Sequence, residues 1–306
     1  MFKHILKRIL FLPILLGLIS VLAFTLVRLA PGGPFDRERK PASRELENRI
    51  REKYHLDEPV WKQYLRYAGG LIRGDLGPSL KYRNHSVTDI VVQGLPVSMA
   101  LGLGAFVMAL GVGIPLGLGS VVLRGGVGEV GAVAIATILI CIPSFVIGPV
   151  LVMQLAIRWK LFPVALLDSP LHSVLPILTL GLYFAGRIAR LLREGLLAVR
   201  NADFIRTARA KGLGETEILF KHSLRVGLLP VISYCGPMLA DLLTGSFVVE
   251  NLFQIPGIGV FMVNSSLSRD YTMIVGLVLV YALILLILNL LVDSVYSLLD
   301  PRIRNE

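Results

Sequence analysis

The sequence predicts an all-α, polytopic membrane protein with six transmembrane helices. Three observations carry this. The 306 residues are 54% hydrophobic and only 17% charged, with a mean hydropathy of +0.71, whereas soluble domains carry about 25% charged residues. Six apolar runs lie near or above the roughly 20 residues that a bilayer requires. Lys and Arg gather at short loops and at the ends of those runs, as the positive-inside rule predicts. A net charge of +10 also suits nucleic-acid binding, but the basic residues form no dense patch with interleaved aromatics. The composition speaks against a nucleic-acid partner.

The first run, Ile9 to Val27, follows Lys3, Lys7 and Arg8 and contains Pro13. It exceeds the roughly 7–15 apolar residues of a signal peptide, so residues 1–30 read as a cytoplasmic end and a retained first span. Residues 31–94 are polar and form an extracytoplasmic region. Within it, Ser43 to Tyr54 has a solvated helical pattern, and Trp61 to Ile72 an amphipathic one. The latter fits a membrane interface or, equally, a packed face of a small cap. Residues 95–306 form a five-helix core, with spans near Pro96–Leu123, Val130–Ile157, Val174–Leu192, Leu228–Val249 and Met273–Leu298. Glycines 102, 104, 111, 113, 117 and 119 predict close packing of the second span. Pro143 and Pro149 predict a kink in the third. The segment Asn251 to Tyr271, with Ile-Pro-Gly-Ile-Gly, reads as re-entrant or interfacial backbone. Cys141 and Cys235 read as small buried residues without a metal-binding pattern.

Orientation follows from charge. The loop region holds Arg187, Arg190, Arg193, Arg200, Arg206, Arg209, Lys211, Lys221 and Arg225 against four acids. With six spans, this loop (193–226) and both termini are cytoplasmic. Its centre predicts two short helices on a glycine elbow: Phe204 to Lys211 with Asp203 as N-cap, Gly212 and Gly214 at positions tolerant of positive φ, then Thr216 to Leu224. Charge alone makes these arginines anchors. A stiff, shaped projection also suits a soluble partner.

This loop resembles that of bacterial ABC-importer permease subunits, whose consensus is Glu-Ala-Ala, three residues, Gly, nine residues, Ile-x-Leu-Pro. Aligned on Gly212, the consensus positions hold Arg206, Thr207 and Ala208, then His222, Ser223, Leu224 and Arg225. The glycine, one alanine and the leucine are kept. The run Ile205 to Gly212, with Lys221-His-Ser-Leu-Arg225, is similar to the peptide-type variant. The likeness extends to Arg28–Phe35, Lys53–Asp57, Gly74–Ser79, Ile255–Gly259, Arg269–Tyr271 and Leu299–Pro301. Together these resemble the B-type permease of oligopeptide importers in the bacterial inner membrane.

The resemblance implies a translocation path for peptides, dipeptides, nickel or glutathione being alternatives. It implies a homologous second permease, two ABC ATPases and an extracytoplasmic peptide-binding protein. The coupling segment would comprise Asp203, Phe204, Ile205, Arg206, Thr207, Ala208, Arg209, Ala210, Lys211, Gly212, Leu213 and Gly214. No Walker phosphate loop occurs in the sequence, so ATP and Mg belong to the partner ATPases, and no cofactor, metal site or catalytic residue is assigned to this chain. Asp241 lies inside a span, where charge is expensive; it faces a wet substrate path or pairs with a neighbouring helix. Glu250 and Asn289 are further candidates for the path, although Asn289 also suits a bond between helices. A stand-alone ion-coupled carrier would use Asp241 but leave the elbow without a purpose. An intramembrane enzyme would require a paired polar constellation that the spans do not display.

Overall fold

A computed structural model describes residues 2–29, 57–82, 85–243 and 247–299. The described residues are helical apart from turns and one isolated bridge between Pro78 and Ser86. Among the described residues, five helices are long and apolar enough to cross a membrane, or six when one bent pair counts as a single span. The expected helix at 43–54 lies outside the described residues.

The chain divides into two compact units: 1–98 with 254–306, and 99–253. In the first, helix α1 (Phe2–Leu29) contains Pro13 as expected. Its Leu10, Ile14, Leu18, Leu22 and Leu26 are all exposed. Four-residue spacing puts them on one face, an apolar stripe suited to lipid. On the other side, Ala23 and Phe24 pack against Val275 and Leu279 of α12 (Tyr271–Leu299). Helix α2 (Val60–Leu71) lays Tyr64, Tyr67 and Leu71 on the same cluster. Tyr64 meets Phe24 edge-on at 5.5 Å and shares a 2.8 Å hydrogen bond with Ser20. Trp61 and Leu65 stay exposed, so α2 has a packed face and an open apolar face.

Two motifs far apart in sequence meet in this unit. Asp270, 1% exposed, accepts from Ser79 Oγ at 2.5 Å and from the Lys81 amide at 3.2 Å through one oxygen. Its other oxygen accepts from the Met273 amide at 3.1 Å, capping the start of α12. Gly77, at φ +88°, brings the turn so close that a Cβ there would lie 2.8 Å from Thr272 Cγ2. The Ile255–Gly259 motif is equally committed. Ile255 and Ile258 are fully buried, and the Ile258 amide, at the start of α11 (Ile258–Ser268), donates to Ser98 Oγ at 3.0 Å. The segment read as re-entrant is therefore a turn, a short apolar helix and a left-handed Arg269.

Helix α3 (Val87–Val122) starts nine residues before the expected span and crosses the boundary between the units. In the second unit its glycines divide by direction. A Cβ on Gly104 would meet Ile177, one on Gly113 would sit 2.7 Å from the Ala185 carbonyl, and one on Gly117 2.8 Å from that of Ala189. Gly102 abuts the Leu242 backbone. Gly111 and Gly119 face open space, so the predicted close packing belongs to four of the six. The contacts of Gly104, Gly113 and Gly117 seat α3 against α6 (Val174–Val199).

The third span departs from expectation. It breaks into α4 (Val127–Cys141) and α5 (Ser144–Leu151), bent by 106°. Pro143 disfavours helical backbone at the residue before it, and Ile142 is extended (φ −89°, ψ 120°). Pro149 sits inside α5, which continues as a π-helical segment, Val152–Arg158. Cys141 is exposed and Cys235 half-buried, and both are free thiols, which corrects their reading as buried residues.

Candidate functional site

Helix α6 ends at Val199, and a turn through Ala202 starts α7 (Asp203–Ala210). The expected Asp203 cap is corrected. Ala202 takes the cap position with extended backbone and no side-chain bond. Asp203 is the first helical residue, fully exposed and 3.8 Å from Arg206, where its charge complements the helix dipole. At the other end the Leu213 amide reaches the Ala208 carbonyl at 3.3 Å and the Gly212 amide that of Arg209 at 2.9 Å. This bond pair is a Schellman motif, which wants a left-handed residue at its turn. Gly212 supplies it at φ +80°. Gly214 has φ −66°, so only one of the two glycines serves that purpose.

The chain then runs helically from 215 to 227, beginning with Glu215–Glu217, passing through a π-helical turn (Ile218–Ser223) and ending with Leu224–Gly227. We call this stretch α8. It is longer than the Thr216 to Leu224 helix expected from sequence, and α9 (Leu229–Leu243) follows at once. Ile205 and Ala208 of α7 and Ile218 of α8 are at most 3% exposed and form one small core with Ala202 and Leu213. Across the elbow Arg209 donates to both Glu215 oxygens, at 2.7 and 3.2 Å. Arg209 strengthens the acid of Glu215 and is itself held more basic than usual. Outside this core Phe204, 43% exposed, and Arg206 flank Ile205 on α7, and Lys211 follows at its end, exposed.

The arms of this elbow are fastened. Gly195 of α6 and Gly227 of α8 touch backbone to backbone; a Cβ on Gly195 would strike the Gly227 carbonyl. Two residues earlier, Arg193 Nη1 donates to the Ser120 carbonyl at 2.8 Å and Nη2 to Glu129 Oε1 at 2.5 Å. The second Glu129 oxygen accepts from the Gly125 amide at 2.7 Å, closing the α3–α4 turn. These contacts join α6 to α8 and, through Arg193, to the turn between α3 and α4.

The predicted path residues fall in different settings. Asp241, near the end of α9, is exposed and within electrostatic reach of Arg187. Asn289 lies exposed on α12. Glu250, on α10 (Phe247–Leu252), is 1% exposed, so it sits inside the unit and off its open faces. Arg187 was not singled out as a site: it fell inside the Val174–Leu192 run but was weighed with the loop arginines as a positive-inside charge. It lies in the middle of α6, as Arg190 and Arg193 lie farther along the same helix. A charged residue at the centre of a spanning helix costs about 2.5–3.5 kcal/mol on insertion scales, and that cost is the signal by which Arg187 could have been found.

Residues 91–305 match the model of the family described as "Binding-protein-dependent transport system inner membrane component". The chain is 41% identical to the dipeptide transport system permease protein DppB of Bacillus subtilis (strain 168), over 99% of its own length and 98% of that protein. It is 39% identical to the oligopeptide transport system permease proteins OppB of Haemophilus influenzae and of Escherichia coli (strain K12), covering 99% of this chain and 100% of each relative. Among solved structures it resembles a chain of the inward-facing MetNI methionine ABC transporter. The TM-score is 0.54, with 18% identity over 69% of this chain and 96% of that one, a likeness of fold. The chain belongs to the family of inner membrane components of binding-protein-dependent transport systems.

Proposed function

We propose that this chain is a permease subunit of an ATP-driven peptide importer, forming part of the translocation path and coupling it to separate ATPases through α7. The elbow carries this reading. It is a two-turn helix with one face locked into a core of its own chain and the other held out to a partner. Its left-handed glycine turn and pinned arms make it a lever. A shaped lever converts movement of a docked subunit into tilting of spans, which is coupling through a bistable assembly.

The partners are a second permease, two ATPases that bind ATP and Mg, and an extracytoplasmic peptide-binding protein. The elbow and both chain ends are cytoplasmic, in keeping with the Lys and Arg clustered there. End-to-end likeness to oligopeptide and dipeptide permeases supports peptides as cargo. Discrimination among peptides rests on differential contacts, and these lie chiefly on the binding protein.

Reconstitution with all four partners tests this. Uptake of peptides of varied sequence, only when ATP and the binding protein are both present, is the expected result. Uptake of nickel or a sugar, and of no peptide, would sink the peptide assignment and leave the ATP-driven importer standing.

A further inference from the structure

Arg187 lies at the middle of α6, roughly 20 Å from either helix end at about 1.5 Å rise per residue. Its guanidinium stands over two aromatic rings, Tyr183 and Tyr234, each 5.7 Å from the ring centroid. It donates one hydrogen bond to Tyr234 Oη, at 3.2 Å. Tyr183 is one turn away on the same face of α6. Phe184 closes the back of the box, edge-on to Tyr183 at 5.2 Å and tilted toward Tyr234 at 6.5 Å. Asp241, two turns beyond Tyr234 on α9, is within the electrostatic reach of Arg187. All five residues belong to one compact unit. Arg187 and Asp241 are exposed, and the aromatics are half-buried behind them.

A guanidinium and a carboxylate exposed at membrane depth cannot face hydrocarbon; such groups line wet cavities or pair with other protein. The two rings and the Tyr234 hydroxyl hold Arg187 in place, and a guanidinium carries five N–H donors, of which the Tyr234 bond uses one. A fixed guanidinium fork fits a carboxylate through two parallel hydrogen bonds. Every linear peptide with a free end carries one such group whatever its side chains. A contact with that group serves cargo of varied sequence.

Resting on the peptide-import reading above, we infer that Arg187, held by Tyr183 and Tyr234, is a station on the translocation path that receives the C-terminal carboxylate of the passing peptide. Asp241 contributes the opposite charge farther along α9, within electrostatic reach of Arg187, so a zwitterionic peptide meets both signs.

The test uses the complete reconstituted assembly and two radiolabelled probes, tri-alanine and its C-terminal amide, delivered by the same binding protein. Any preference of that protein cancels when the acid-to-amide uptake ratio is compared between wild type and variant. Arg187→Gln is expected to lower this ratio about tenfold, the scale of one charge-assisted contact. Should that subunit fail to assemble, Arg187→Lys keeps the charge but loses the fork, and a partial fall in the ratio is expected. An unchanged ratio in the assembled variant, whether or not both rates fall together, overturns the station and leaves the peptide reading intact. A wild-type assembly that imports neither probe overturns both.

Discussion

Gly195 and Gly227 meet backbone to backbone, with no room for a side chain between α6 and α8. That contact lies just behind the elbow and joins its two arms into one stiff body. The account of coupling depends on such stiffness, and several outcomes follow from it.

Gly212 adopts φ +80° in open space, where a Cβ would meet nothing within 4 Å. The only penalty for a side chain is therefore the backbone conformation, about 1 kcal/mol and more for a β-branched residue. Gly212→Val should leave the subunit inserted but reduce peptide uptake and ATPase association severalfold. Gly212→Asn should retain most of both, because Asn tolerates the left-handed region. Equal activity for Val and Asn, measured at matched expression, would detach the turn from coupling.

The Arg209–Glu215 pair predicts a pH response. Its hydrogen bonds hold the Glu215 carboxyl below the ordinary carboxylate range, so the charged form is favoured in the folded loop. The pair stabilises the elbow fully above the unfolded Glu value of about 4.3. It is lost as pH falls through the lower folded value. Amide exchange in residues 203–217, corrected for intrinsic rates, should accelerate below about pH 4 in wild type. In Glu215→Gln this acid-dependent step should be absent. Both residues are solvent-exposed, so added salt should shrink the effect.

The α3–α6 crossing rests on Gly113 and Gly117. A Val at 117 would press Cβ to 2.8 Å from the Ala189 carbonyl and 3.1 Å from Leu192 Cβ, neither of which is a flexible tip. Overpacking of this kind costs about 1–3 kcal/mol, read as a lower unfolding midpoint in detergent. Gly119→Val, facing open space, serves as the control and should shift the midpoint little.

Asp270→Ala removes the acceptor for Ser79 Oγ and for two backbone amides in a site that is 1% exposed. Each donor left unsatisfied costs about 1–3 kcal/mol, so this variant should be among the least stable in the first unit. Asp270→Asn keeps an acceptor oxygen and should lose less, as thermal unfolding of the purified subunit would show.

Much of this architecture was legible in the sequence, and the misses have local causes. The apolar runs located the spans, but the run read as Val174–Leu192 stops short of the end of α6 at Val199, because Arg193 and Glu194 broke it. Charge suggested a loop there, whereas Ile188, Ala189, Leu192 and Leu196 continue the buried face of the helix. Reading that periodicity past Leu192 would have carried the helix to Val199 and put Arg187 at its middle. The break at Ile142–Pro143 was half legible: proline predicts the interruption, but a 106° turn depends on what each half packs against. Gly212 was readable as a left-handed turn, while the Asp203 cap was not, since the chain enters α7 through Ala202 with no side-chain bond. Nothing in sequence tells Gly113 and Gly117, which touch α6, from Gly111 and Gly119, which touch nothing. The joining of Ser79 to Asp270 is a long-range contact that no local pattern announces.

The claim that α7 docks on an ATPase is tested most directly by photo-crosslinking from its two faces. A benzoylphenylalanine is introduced at position 204 or 205 of the full assembly, and adducts are identified after irradiation. Phe204 is 43% exposed and Ile205 only 1%. The account predicts an adduct with the ATPase subunit from position 204 and none from 205. Failure of position 204 to capture the ATPase, in an assembly that still co-purifies with it, would contradict the coupling role of α7.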